Sequence, residues 1–219
     1  MTKNTYTTVE ELKKNFPQAF KESGDVDFTG IAGAKEILGL PERWEVKRDL
    51  TLIDMPFLRE VPKGLRVGRS FRLVRCDAVS TLPSDLSVRN DQNTALGYGI
   101  SIVRCSSFTT IEDRVCAPHS IYVEDCHKFS TLPKFVRGGT LTVICCPSLM
   151  VPPEEVDVCQ LTLIDCPDLT SLPQRLSFTT GVAISNCPKI RDLPEISDFK
   201  GEITAKGSGK ISGNHPTQG

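Results

Sequence analysis

Apolar and polar residues keep a strict order between positions 160 and 176, which read Q-L-T-L-I-D-C-P-D-L-T-S-L-P-Q-R-L. Leu161 and Leu163 alternate with Thr162 and Ile164, the period of a strand with one buried face. Asp165, Cys166 and Pro167 break the alternation, and Leu169, Leu172 and Leu176 return at wider intervals around Pro173. A short strand, a turn through Cys166 and an extended return leg cannot bury both rows of leucines alone. The pattern therefore predicts stacked copies of the same unit.

The copies are present. Anchored on the turn position, the series is Met55, Cys76, Cys105, Cys126, Cys146, Cys166 and Cys187, with steps of 21, 29, 21, 20, 20 and 21 residues. Each anchor follows a strand-like run: L-T-L-I-D, F-R-L-V-R, I-S-I-V-R, I-Y-V-E-D, L-T-V-I-C, L-T-L-I-D and V-A-I-S-N. Three residues after each anchor comes an apolar one: Leu58, Val79, Phe108, Phe129, Leu149, Leu169 and Ile190. Another follows three later, usually before proline, as in Val61-Pro62, Leu82-Pro83, Leu132-Pro133, Leu172-Pro173 and Leu193-Pro194. Ile111 keeps the register without proline, and Pro152 shifts it by one.

Over residues 49–200 these units resemble the leucine-rich repeat family, whose pattern is L-x-x-L-x-L-x-x-N/C-x-L, in its short class of 20–21 residues. The L-P after each strand is similar to the repeats of bacterial leucine-rich effectors, and the C-P-x-L-x-x-L-P wording to those of plant resistance receptors. Two departures stand out. Cys fills the turn in six of seven units, where bacterial effectors mostly use Asn, and one extra residue separates it from the next leucine. The resemblance implies an α/β solenoid with a curved parallel β-sheet and extended convex return legs, without fixing the subfamily.

Residues 1–48 differ. Thr8 and Glu11 form a capping box, and Val9, Leu12, Phe16 and Phe20 share a helical face until Pro17 and Gly24 disturb it. A second short helix is expected from Ile31 to Leu38, and a degenerate first strand at Val26-Asp27-Phe28. A stacked array exposes a hydrophobic end, so this segment is expected to be an N-terminal helical cap. The 29-residue step reflects an insertion at 89–98, expected to form a loop. Residues 201–219 begin with a possible closing strand, Glu202 to Ala205, and then lose apolar content.

Composition excludes some functions. The 219 residues carry a formal net charge of −1 and a pI near 6.3, without the basic excess of a nucleic-acid binder. No apolar stretch suits a cleaved signal peptide or a membrane span. A cytoplasmic, monomeric chain is expected. The Thr- and Asn-rich opening also suits secretion into a host cell without a cleaved signal, as the effector resemblance implies.

Nine cysteines invite chemistry, but Cys76, Cys105, Cys126, Cys146, Cys166 and Cys187 all occupy the turn position. A small weak-donor side chain there reads as a structural ladder. Disulfides or a metal remain conceivable between stacked thiols, although a single file lacks tetrahedral geometry and no Cys-x-x-Cys pair completes one. No metal and no cofactor is expected. Cys116, Cys145 and Cys159 lie off the column. Cys166-Pro167-Asp168 has the Cys-x-Asp form found in bacterial leucine-rich-repeat ubiquitin ligases. There it sits in a separate helical domain, whereas here Cys166 is a repeat turn. G-S-G-K-I-S departs from the phosphate-loop pattern, and His119, His127 and His215 are dispersed. No enzyme is expected.

What remains is a surface. Residues between the inward ones should line the concave sheet in columns. One runs Thr51, Arg72, Ser101, Tyr122, Thr142, Thr162, Ala183; the next runs Ile53, Val74, Val103, Glu124, Ile144, Ile164, Ser185. A third holds Asp54, Arg75, Arg104, Asp125, Cys145, Asp165 and Asn186. An apolar file on an open sheet suggests a partner site, and the alternative is the preference of β-branched residues for strands. Arg72, Val74, Arg75, Val103, Arg104, Tyr122, Glu124, Ile144 and Ile164 are the candidate contacts, with Tyr and Arg as anchors. The expected function is a non-catalytic module that binds a partner protein. Two alternatives are a β-helix acting on or binding carbohydrate, which needs three strands per coil, and an assembly subunit stacking through its C-terminal end.

Overall fold

In the computed structural model, which describes residues 4–89, 99–113, 119–191 and 202–207, the chain is a parallel β-solenoid of about seven turns with little helix. The expected 89–98 insertion lies, apart from Arg89, outside the described residues, as do Cys116, Leu193-Pro194 and all of 208–219. In chain order the first strands are β1 (Asn4–Thr5), β2 (Val26–Asp27), β3 (Ile37–Gly39), β4 (Glu45–Val46), β5 (Asp49–Ile53) and β6 (Arg66–Val67). Next come β7 (Ser70–Val74), β8 (Thr81–Leu82), β9 (Ser87–Val88), β10 (Ile100–Val103), β11 (Thr110–Ile111) and β12 (Ser120–Glu124). The last are β13 (Phe135–Ile144), β14 (Glu155–Ile164), β15 (Arg175–Ser185) and β16 (Glu202–Lys206).

Nine strands form one sheet in the order β16-β15-β14-β13-β12-β10-β7-β5-β2, with parallel neighbours throughout. The inward pairs that the alternation singled out, from Leu50 and Leu52 through Leu161 and Leu163 to Val182 and Ile184, are buried. So are Leu58, Val79, Phe108, Phe129, Leu149, Leu169 and Ile190 from the turns. The Phe108 and Phe129 rings stack with centroids 5.7 Å apart. Each such burial is worth about 1.5–3 kcal/mol against exposure, and no coil could collect it alone.

The return legs are not merely extended, as the resemblance implied. Leg residues pair across coils: β8 with β11, then Thr110 with Thr131 and Thr131 with Val151. A further ladder joins β4, β6 and β9. The first coils therefore have three parallel ladders. From β13 onward the third ladder fuses with the main sheet, because β13 and β14 run unbroken for 10 residues and β15 for 11.

The N-terminal segment is less helical than expected. Helix α1 spans Val9–Asn15, capped by Thr8, whose Oγ1 accepts from the Glu11 N–H at 3.2 Å. The helix expected at 31–38 is instead a 3-10 turn, Ala34–Glu36, followed by β3. Gly33, at φ +83°, turns the chain there, and the Tyr6 N–H bonds the Gly39 carbonyl at 3.0 Å. β2 pairs with β5 through Val26 and Leu50. Tyr6, Phe16 and Phe28 meet edge to face, with centroids 5.6 and 5.8 Å apart, beside the first coil. No described helix is long and apolar enough to cross a membrane.

Candidate functional site

The outward side of the nine-stranded sheet carries the candidate contacts in register. Arg72, Ser101 and Tyr122 stand opposite one another on β7, β10 and β12. Val74, Val103, Glu124, Ile144 and Ile164 form the adjoining file. Side chains in such a file are about 4.8 Å apart. Val74 is buried at 5 % exposure, so it contributes more to packing than to an accessible surface. Val103, Tyr122, Glu124, Ile144 and Ile164 are half-buried, and Arg72 is exposed.

The third column has a backbone signature. Asp54, Arg75, Arg104, Asp125, Cys145, Asp165 and Asn186 all adopt left-handed φ between 50° and 56°. This conformation turns the chain towards the core while each N–H still bonds the next coil, as from Asp54 to Val74 and from Asn186 to Lys206. Asp and Asn tolerate it best among non-glycine residues. The following anchor then accepts a turn bond from the residue three later, as Cys76 does from Val79.

The same column pairs its charges internally. Arg75 forks onto Asp54 through Nε and through Nη2, the latter at 2.8 Å. Arg104 Nε reaches Asp125 Oδ2 at 3.3 Å, and His127 Nδ1 lies 3.5 Å from the other oxygen. Hydrogen bonding and charge from Arg75 hold Asp54 below the usual carboxylate range. Of the three arginines expected as anchors, Arg75 and Arg104 are therefore already occupied, while Arg72 makes no ion pair among the described residues. Opposite charges one coil apart, such as Asp54 and Arg75, were the available signal for this pairing.

Further along this face, Glu124 and Asp165 pair with no Lys or Arg among the described residues. Tyr122 Oη donates to Glu124 Oε2 at 2.7 Å, and burial followed by that carboxylate pushes Tyr122 up to about 12. Asp165 accepts from Asn186 Nδ2 at 2.8 Å and from Cys145 Sγ at 3.7 Å. Burial first, then Asp165, Asp125 and Glu124, raise the Cys145 thiol.

The turn cysteines are packed and hydrogen-bonded. All six are fully buried. Cys76 Sγ contacts the Leu52 and Val74 carbonyls at 3.6 Å each, and Cys187 Sγ reaches Leu163 and Ser185 at 3.7 and 3.4 Å. Burial pushes Cys76 and Cys146 up to about 12. Hydrogen bonds with Cys126 and Cys187, reinforced by burial, hold Cys105 and Cys166 higher still. The same hydrogen bonds lower Cys126 and Cys187, the latter to about 7, so it is at Cys76, Cys105, Cys146 and Cys166 that a neutral thiol suits the packing and disfavours nucleophilic chemistry. Cys166 and Asp168 do not form an isolated pair, since Lys189 Nζ holds Asp168 at 2.6 Å.

Elsewhere, a groove of about 490 Å³ opens on the legs beside Ser84, Glu112, Asp113, Thr131 and Lys134. Its Asp113 accepts the Lys134 N–H at 2.8 Å, a bond that joins neighbouring coils. Among the described residues, no three His, Cys, Asp or Glu side chains converge as metal ligands would. No family model, curated protein or solved structure matches the chain.

Proposed function

We propose that this protein is a non-catalytic interaction module that binds a partner protein through the outward face of its long sheet. A repeat solenoid fits an interaction module at the level of architecture. The observation that carries the specific reading is the file Val103–Glu124–Ile144–Ile164, which leaves aliphatic side chains half-buried beside Tyr122 on an open sheet. Such surfaces gain by covering their apolar area, and Tyr supplies much of the energy at interfaces. Under this proposal, the family is the short leucine-rich repeats and the setting is that of an effector acting on a host protein. Both rest on the repeat wording alone.

The test is affinity capture with three proteins: wild type, Tyr122→Ala combined with Ile144→Ser, and Arg66→Glu on the separate β6 face. A partner retained by wild type and Arg66→Glu but lost by the double variant supports the reading. Equal capture by all three overturns it.

A second reading draws on the three ladders in the first coils, since three strands per coil is the cross-section of a carbohydrate-active β-helix. Calorimetric titration with neutral and acidic oligosaccharides tests it. Saturable heat favours this reading, and its absence with both classes removes it.

A further inference from the structure

The outward face is electrostatically divided, and the division identifies a partner chemistry. In the coils around β5–β10, Asp54 is matched by Arg75, and Arg104 by Asp125 from the next coil. Among the described residues of this face there, the charge without an ion pair is a cation, Arg72. Across β12–β14 the position reverses. Glu124 and Asp165 carry formal negative charges, and their hydrogen-bond partners are neutral: the Tyr122 hydroxyl, the Asn186 amide and the Cys145 thiol. Neither lies within ion-pair distance of Lys or Arg among the described residues. Between these carboxylates stand Ile144 and Ile164, directly opposite each other.

We infer that the β12–β14 part of this face docks a cationic amphipathic helix of a partner protein, with its aliphatic residues on Ile144 and Ile164 and its Lys or Arg side chains on Glu124 and Asp165. This inference rests on the outward-face reading above. Ile144 and Ile164 are one interstrand step apart, about 4.8 Å, which is close to the ~4.5 Å rise between residues i and i+3 of a helix. Glu124 to Ile164 spans two steps, about 10 Å, matching i to i+7. Tyr122 holds the Glu124 carboxylate in place beside the apolar pair. Arg72 repels the same cationic segment, so the footprint ends before β7. The Cys145 thiol lies among these acids, its Sγ 3.7 Å from Asp165 Oδ2, and burial first, then Asp165, Asp125 and Glu124, raise it. Opposed charges at the rim of an apolar contact select the partner and its register.

The probe is a fluorescein-labelled 14-residue peptide of Leu and Lys patterned as an amphipathic helix, with a Leu/Glu peptide of the same pattern beside it. Anisotropy titrations use the full chain. The expected result is that wild type binds the Leu/Lys peptide and not the Leu/Glu one. Glu124→Gln with Asp165→Asn should weaken binding about tenfold and flatten its dependence on salt. Both replacements keep the side-chain shape, and Asn suits the left-handed backbone of position 165. The charge rule is overturned if that double variant binds as wild type does, or if wild type fails to bind the Leu/Lys peptide. Ile144→Ser with Ile164→Ser separates the two levels of the argument, with circular dichroism confirming its fold. If both peptides bind wild type equally and this variant loses both, the face stands and the charge preference fails. If this variant binds the Leu/Lys peptide normally, the outward-face reading itself fails.

Discussion

The two halves of the solenoid solve one corner differently. In the coil containing β6 and β7, three residues, Gly68, Arg69 and Ser70, separate the inward Val67 from the inward Phe71, and the chain breaks into two short strands. In the coil of β13, only Gly139 and Thr140 separate Gly138 from Leu141, and a single strand carries the corner. β14 does the same with Cys159 and Gln160. The next coil again has the extra residue, with Thr179, Thr180 and Gly181 between Phe178 and Val182. There the strand survives, and the register shifts opposite Val158 and Gln160 as a bulge. Thus, where the corner is described, a 21-residue coil either breaks its strand or bulges it, and a 20-residue coil does neither.

Single-residue deletions test this rule most severely. Deleting Gln160 leaves one residue between inward Val158 and Leu161 and turns part of β14 inside out. We expect a loss of more than about 4 kcal/mol, seen in urea unfolding as a collapsed or separate transition for the C-terminal coils. Deleting Thr179 instead converts a bulged coil into the unbroken kind and should cost under about 1 kcal/mol. Equal damage from both would show that the corner length does not set the strand pattern.

The corner glycines give the next largest effect. A Cβ on Gly68 would lie 2.0 Å from the Lys47 carbonyl oxygen, and one on Gly139 would lie 2.2 Å from that of His119. Both obstacles are backbone of the preceding coil, so the coils must part to make room. Alanine at either position should cost about 1–3 kcal/mol in thermal or urea unfolding. The similar contact in both halves predicts similar losses. A much smaller loss at Gly68 would mean that the broken corner relaxes where the continuous one cannot.

Much of this was legible in the sequence, for a definite reason. Burial repeats every coil, so Leu161, Leu163, Cys166 and Leu169 announced the inward positions, and each is buried. The short strand at Val26–Asp27 was legible for the same reason. The third ladder was not, because β4, β6 and β9 have two residues each and no alternation long enough to read. The helix expected at 31–38 failed because apolar Ile37 and Leu38 fit a strand equally well once β1 supplies a partner. On the outward face the residues were identifiable by column. Their use was not: whether Arg75 is offered to a partner or spent on Asp54 depends on the neighbouring coil at side-chain distance.

Acid titration probes the smallest difference between the halves. Burial works to raise Asp25, but the Ser23 hydroxyl, the Asp49 N–H and the Arg48 and Arg69 guanidiniums more than offset it. Asp54 is lowered by its hydrogen bond from Arg75, and Glu155, in the C-terminal half, by its bond from Arg137. Each folded value lies below the unfolded one. The stability these groups contribute is complete above the unfolded value near pH 4 and is lost as pH falls through the folded value. Asp25, three-quarters shielded and tying the N-terminal segment to the first coil, should dominate. Asp25→Asn should cost about 1 kcal/mol at pH 7 and flatten the acid limb below about pH 4. Asp54→Asn should do the same by under about 0.5 kcal/mol, because its pair with Arg75 is exposed and screened. Chemical denaturation repeated across that pH range decides the matter. If Asp54→Asn flattens the limb more than Asp25→Asn, the exposed column carries structural weight that its solvation denies, and Arg75 belongs to the fold before it belongs to any partner.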